Sequence, residues 1–98
     1  MLKMTDDLKK DIKTIRKLLK DKGYTIRKSK HNVKISDTFR IITNEEQFIK
    51  DNKIFEIAHD LVNDNVTIHL YTFKNNKIDD VKTILIGDLL YYATCSMF

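Results

Sequence analysis

Three histidines, His31, His59 and His69, and one cysteine, Cys95, are the side chains best suited to metal ligation or nucleophilic chemistry in this 98-residue chain. No two of the histidines stand at an HxxxH spacing, and Cys95 is remote from all three, so the pattern supplies no zinc ligand set. The carboxylate pairs Asp6-Asp7, Glu45-Glu46 and Asp79-Asp80 are the other candidates for acid–base work. Each falls where a helix is expected to begin, and there the helix dipole and capping explain a carboxylate without catalysis. No glycine-rich phosphate loop, GxSxG elbow or CxxC pair occurs. The expectation is a non-enzymatic protein with no catalytic residue, no metal and no cofactor.

The cations are a stronger signal. Residues 1–40 carry thirteen Lys or Arg against five Asp or Glu, a net of +8, whereas residues 41–98 carry five against nine, a net of −4. Lysine outnumbers arginine fifteen to three, and isoleucine is abundant while alanine is scarce, as in a gene from an A/T-rich genome. Compositional drift would spread lysines evenly, so the asymmetry has a local cause. Lys9, Lys13, Arg16, Lys17 and Lys20 fall on one side of an N-terminal helix, and Arg27, Lys28, Lys30, His31 and Lys34 fall in the first hairpin. Together they form a candidate surface for a nucleic-acid phosphate backbone or for an acidic protein. Lysine in place of arginine argues against bidentate recognition of bases or phosphates.

Several elements position these residues. Thr5 caps a first helix, Asp6 and Asp7 complement its positive end, and Gly23 ends it. Leu8, Ile12, Ile15 and Leu19 lie within about 60° on a helical wheel and form its core stripe. From Tyr24 the period changes to two, with strands expected around Tyr24–Arg27, Val33–Ile35 and Phe39–Ile42, and a turn at residues 29–32. Thr43 and Glu46 have capping-box form, so one or two helices are expected over about residues 44–62. Val66–Phe73 is the best strand, with Val66, Ile68 and Leu70 on one face and Thr67, His69, Tyr71 and Phe73 on the other. Residues 79–86 read either as the start of a terminal helix, which Asp79-Asp80 favours, or as a strand paired with Val66–Phe73. The expected fold is a single α+β domain over residues 1–98: an N-terminal helix, an antiparallel sheet of three to four strands, and helices packed on one face.

Apolar residues at 42% and charged residues at 33% describe a globular chain. The apolar segment Ile84–Phe98 is interrupted by Asp88 and is shorter than a membrane span. With no signal-peptide pattern and no cysteine pair, a cytoplasmic location is expected. That C-terminal segment is apolar nearly all round, so it is either buried in the monomer or covered by a partner or second copy. Tyr71, Phe73, Leu90, Tyr91 and Phe98 are the candidate interface residues.

The run from Leu18 through Gly23-Tyr24 to Lys30-His31 resembles the HicA-type mRNA interferase toxins over roughly residues 15–50. That family has a helix ending in Gly-aromatic before a strand, and then a Gly-Ser-His. The resemblance implies an αβββα fold and His31 as general base in RNA cleavage. The architecture also looks like that of small phage anti-defence proteins, including some anti-CRISPR inhibitors. Three functions follow as expectations. The first is a phage- or mobile-element-encoded binding protein that inhibits or modulates a host protein or nucleoprotein complex. The second is a DNA- or RNA-binding module using the basic first half, and the third is the HicA-like interferase.

Overall fold

A computed structural model describes residues 2–95. The order of elements is α1 (Asp6–Asp21), β1 (Thr25–Lys34), β2 (Arg40–Lys50), β3 (Lys53–Asp60), β4 (Asn65–Lys74), β5 (Lys77–Thr83) and α2 (Ile86–Thr94). All five strands form one antiparallel meander in chain order, β1-β2-β3-β4-β5. The molecule measures 48 × 36 × 20 Å, a slab as thick as one sheet plus one layer of helices. Both helices lie on the same face of the sheet, and the other face is bare.

α1 forms as its sequence dictates. The Thr5 hydroxyl accepts a hydrogen bond from the Leu8 N–H at 3.1 Å. Leu8, Ile12, Ile15 and Leu19 are buried. Gly23 has φ +93°, the left-handed conformation that closes a helix and that a side chain would strain. Its amide donates to the Lys20 carbonyl, and Tyr24 N–H returns to Leu19.

The core lies between this stripe and the helix-facing side of the sheet. Phe48, Ile15, Leu19, Ile68 and Leu89 are its largest fully buried side chains. Tyr24, Phe55 and Tyr92 make a line of tilted rings with centroids 6.0 and 5.9 Å apart, joining the α1–β1 link, β3 and α2. Lys50 lies over the Tyr24 ring, and its ammonium donates to the Lys22 carbonyl at 2.7 Å. The N-terminal segment is tied to the other end of the sheet: Val66 N–H donates to the Leu2 carbonyl, and Lys3 Nζ to that of Asn63.

Several expectations are corrected. The sheet has five strands, not three to four. No helix covers residues 44–62: Thr43 and Glu46 belong to β2, and residues 53–60 are β3. Phe55 and Ile57 of β3 point into the core, while Ile54 and Ala58 point to the bare face. Apolar residues on both faces blur the alternation, and the spacing 54–58 imitates a helical i,i+4 repeat. Cross-strand pairing on both sides then decides the conformation over local propensity. Residues 77–83 are strand, with Asp79 bulged between Thr72 and Phe73 of β4, and α2 starts only at Ile86. The turn expected at residues 29–32 is absent: β1 runs unbroken to Lys34 and pairs with β2 from Thr25↔Ile49 to Lys34↔Arg40. Asn75 and Asn76 both have positive φ, as a two-residue type I′ turn requires between β4 and β5.

Candidate nucleic-acid interface

β1 alternates between the two faces, so Ile26, Lys28 and Lys30 share the helix-facing side while Arg27, Ser29 and His31 share the bare one. Ile26 lies opposite Phe48 and contributes to the core. Further along the strand the apolar partners stop: Lys28 faces Glu46 and Lys30 faces Asn44 across the ladder. α1 passes over this region with Lys9, Lys13 and Arg16 along the flank of its core stripe. The gap between the helix and the β1–β2 hairpin is a cleft of about 630 Å³. Its cationic wall is Lys9, Lys13 and Arg16 on one side and Lys28 and Lys30 on the other, above Ile12 and Ile57.

Arg16 is engaged within the cleft. Its Nε donates to Glu46 Oε2 at 2.5 Å and its Nη2 to Oε1 at 2.8 Å, a bidentate pair between α1 and β2. The Glu46 side chain is only 12% exposed. The hydrogen bond to Glu46 raises the Arg16 pKa further, against the opposing effect of burial. By contrast, none of Lys9, Lys13, Lys28 and Lys30 has a carboxylate at ion-pair distance among the described residues. Four uncompensated ammonium groups thus converge on one concavity from two separate elements.

His59, at the end of β3, closes the cleft on the helix-facing side. Its Nε2 lies 2.8 Å from Asp64 Oδ1 in the β3–β4 turn. That hydrogen bond, together with the Met4 backbone N–H and the charges of His59 and Lys3, holds the Asp64 carboxyl below its ordinary range. In the same turn, Asp60 accepts from the Asn63 side chain and from the backbone N–H groups of Asn63 and Val62, and its pKa is likewise lowered.

The structure sorts the sequence candidates. Lys9, Lys13, Arg16, Lys28 and Lys30 come together in the cleft. Lys17 and Lys20 are exposed on α1 outside it. Arg27 points to the bare face, where its guanidinium donates to Gln47 Oε1. Lys34 is near the hairpin tip, 3.2 Å from Asp37. His31 is also on the bare face, with Nε2 3.4 Å from Glu45, and His69 is there with its ring 6.1 Å from that of Tyr71. Of the candidate interface residues, Tyr71 and Phe73 are half-buried on the bare face, Leu90 packs against the core and Tyr91 is 66% exposed. Phe98 lies outside the described residues. Asn44, Glu46, Ile57 and His59 were not legible as part of a site, because their place depends on the β2–β3 register.

Among the described residues there is no cluster of three or more metal-ligating side chains, and no helix is long and apolar enough to cross a membrane. Fold and site define an α+β meander domain with one helix-covered face, one bare face and a lysine-lined cleft beneath α1. No family model, curated protein or solved structure matches the chain.

Proposed function

We propose that this protein is a non-enzymatic binding module whose cleft holds the phosphate backbone of double-stranded nucleic acid. The observation that carries the reading is the set of four unpaired lysines, Lys9, Lys13, Lys28 and Lys30, on the two walls of one cleft. Lys9 and Lys13 are one helical turn apart, and Lys28 and Lys30 are separated by one strand repeat. Both steps are about 6–7 Å, a run of point charges suited to successive phosphates. Point-charge ammonium groups position a backbone without reading bases. No Phe, Tyr or Trp ring lines the cleft among the described residues, and the imidazole of His59 there is held by Asp64. The stacking platform that single-strand binders use is therefore missing, which favours a duplex.

The test is fluorescence anisotropy with a labelled DNA or RNA duplex of arbitrary sequence, titrated from low to moderate salt. The double variant Lys13→Glu/Lys28→Glu is expected to lose more than ~10-fold in affinity, with a salt slope shallower by about 1.8, or about 0.9 per phosphate contact. The control Lys17→Glu lies outside the cleft and is expected to change affinity far less. Absence of duplex binding at low salt, or an equal loss in the control, would remove the proposal.

A further inference from the structure

The bare face of the sheet carries two apolar patches at opposite ends, with a polar band between them. At one end, Ile49, Ile54, Tyr71 and Val81 form a continuous row across β2–β5, because the registers place Ile49 opposite Ile54, Ile54 opposite Tyr71 and Tyr71 opposite Val81. Phe73 and Ile78, paired one step further along, extend it. None of these six belongs to the core or packs against it.

At the other end the β1–β2 hairpin outruns the sheet. Pairing of β2 with β3 begins at Thr43↔Asp60, and the Ile42 carbonyl still accepts from the Leu61 N–H, so residues 33–41 pair only with one another and project as a two-stranded arm. The bare-face side of this arm is Val33, Ile35, Phe39 and Ile41, exposed by 49, 57, 47 and 39%. Ile35 N–H donates to the Phe39 carbonyl at 2.9 Å, which holds the tip closed. Four apolar side chains on the same side of a solvated hairpin are unfavourable for an isolated monomer, since such an edge invites pairing or aggregation. Polar side chains separate the two patches, among them Arg27, Gln47 and Glu56, which are linked by hydrogen bonds across β1–β3.

We propose that a second copy of this chain covers the face, with the arm of each protomer seated on the Ile54–Tyr71–Val81 row of its partner. Two unlike patches at opposite ends of one face are what a two-fold axis lying in the plane of that face brings together twice over. The contact is then isologous and closed. The area is sufficient: five strands at about 4.8 Å spacing and strands of about ten residues give a face of roughly 800 Å², the share one partner contributes to a standard stable interface. An aligned sheet-on-sheet stack of this kind also matches the packing of β-sandwiches. The lysine cleft lies on the opposite, helix-covered side of each protomer, so the dimer leaves both clefts facing outward. The inference therefore stands whether or not the clefts bind nucleic acid.

The experiment is sedimentation equilibrium of the wild-type chain and two variants, Ile35→Lys/Phe39→Lys in the arm and Val81→Lys in the row. All three substituted side chains are exposed and outside the core, so each variant is expected to keep the wild-type circular dichroism spectrum. The expected result is a wild-type dimer with micromolar or tighter affinity. Either variant is expected to weaken it more than 100-fold, and hydrogen exchange of residues 33–41 should slow with protein concentration in the wild type alone. A wild-type chain that stays monomeric at millimolar concentration overturns the proposal. So does a dimer that survives in either variant, and so does open-ended growth into filaments, which would mean that the contact does not close.

Discussion

Glu46→Gln separates the two roles of the Arg16–Glu46 pair, because stability and ligand affinity should move in opposite directions. The carboxylate accepts two hydrogen bonds from one guanidinium, at 2.5 and 2.8 Å. Hydrogen bonds to charged groups contribute about 1.5–3 kcal/mol, and exposed ion pairs about 0–1. With Glu46 12% and Arg16 35% exposed, solvent screening discounts the pair to about 1–2 kcal/mol. The glutamine keeps one acceptor, so the loss belongs at the lower end. A domain of this size loses ~4–8 °C of Tm per kcal/mol, so thermal melts should show a fall of about 4–10 °C. The same change releases the Arg16 charge into the cleft and removes the cleft's one well-buried carboxylate. If the four free lysines each neutralise one duplex phosphate, the wild-type slope of log affinity against log salt is about −3.6, and the variant's is about −4.5. Between 50 and 200 mM salt, affinity then falls ~150-fold for the wild type and ~500-fold for the variant. At the lowest salt the variant should bind more tightly. Arg16→Ala gives the contrast: it loses stability and also weakens binding, because Glu46 is left uncompensated beside the lysines. If Glu46→Gln lowers Tm while its salt slope and low-salt affinity match the wild type, Arg16 does not serve the cleft and the electrostatic reasoning fails.

Three further outcomes follow from local geometry. Asp64 is held below its ordinary pKa first by the His59 hydrogen bond, so its stabilisation is complete above about pH 4 and drains away as pH falls through the folded-state value. Asn tolerates the positive φ at this position. Asp64→Asn should therefore melt lower than the wild type at pH 7, and the gap should narrow steadily as pH falls below about 4; a gap that does not narrow in acid would show that the charge is not what matters. Asn76→Val puts a β-branched residue at φ 64° in a tight turn and should cost about 1–2 kcal/mol in urea unfolding, whereas Asn76→Gly should be neutral or stabilising. Gly87 lies in the first turn of α2 with nothing within 4 Å of where a Cβ would sit and with no positive φ, so Gly87→Ala should raise stability by about 0.5–1 kcal/mol by calorimetry.

The parts of this fold that were legible in the sequence are those where one face is apolar and the other polar. α1 has such a stripe, with a cap and a glycine stop. β4 alternates cleanly over its first half, where Val66 and Ile68 are buried while Thr67 is exposed. The misread segments fail for two different physical reasons, and each reason marks a surface. On the helix-facing side, β2 carries Asn44 and Glu46 where a core strand would carry valine or isoleucine, so Thr43-Asn44-Glu45-Glu46 reads as a helix start. Those positions are polar because they line the cleft. β3 and β5 carry Ile54, Ala58 and Val81 on the bare side, where a solvated sheet would be polar, so their alternation vanishes and helical spacing takes its place. The charge asymmetry of the first forty residues pointed to α1 and β1, but it did not separate Lys9, Lys13, Lys28 and Lys30, which line the cleft, from Lys17, Lys20 and Lys34, which do not. Only the β1–β2 register and the path of α1 over it make that selection. Where local pattern and observed structure disagree, the residues responsible are those that line the cleft or the bare face, and functional sites are where a break in the local rules is expected.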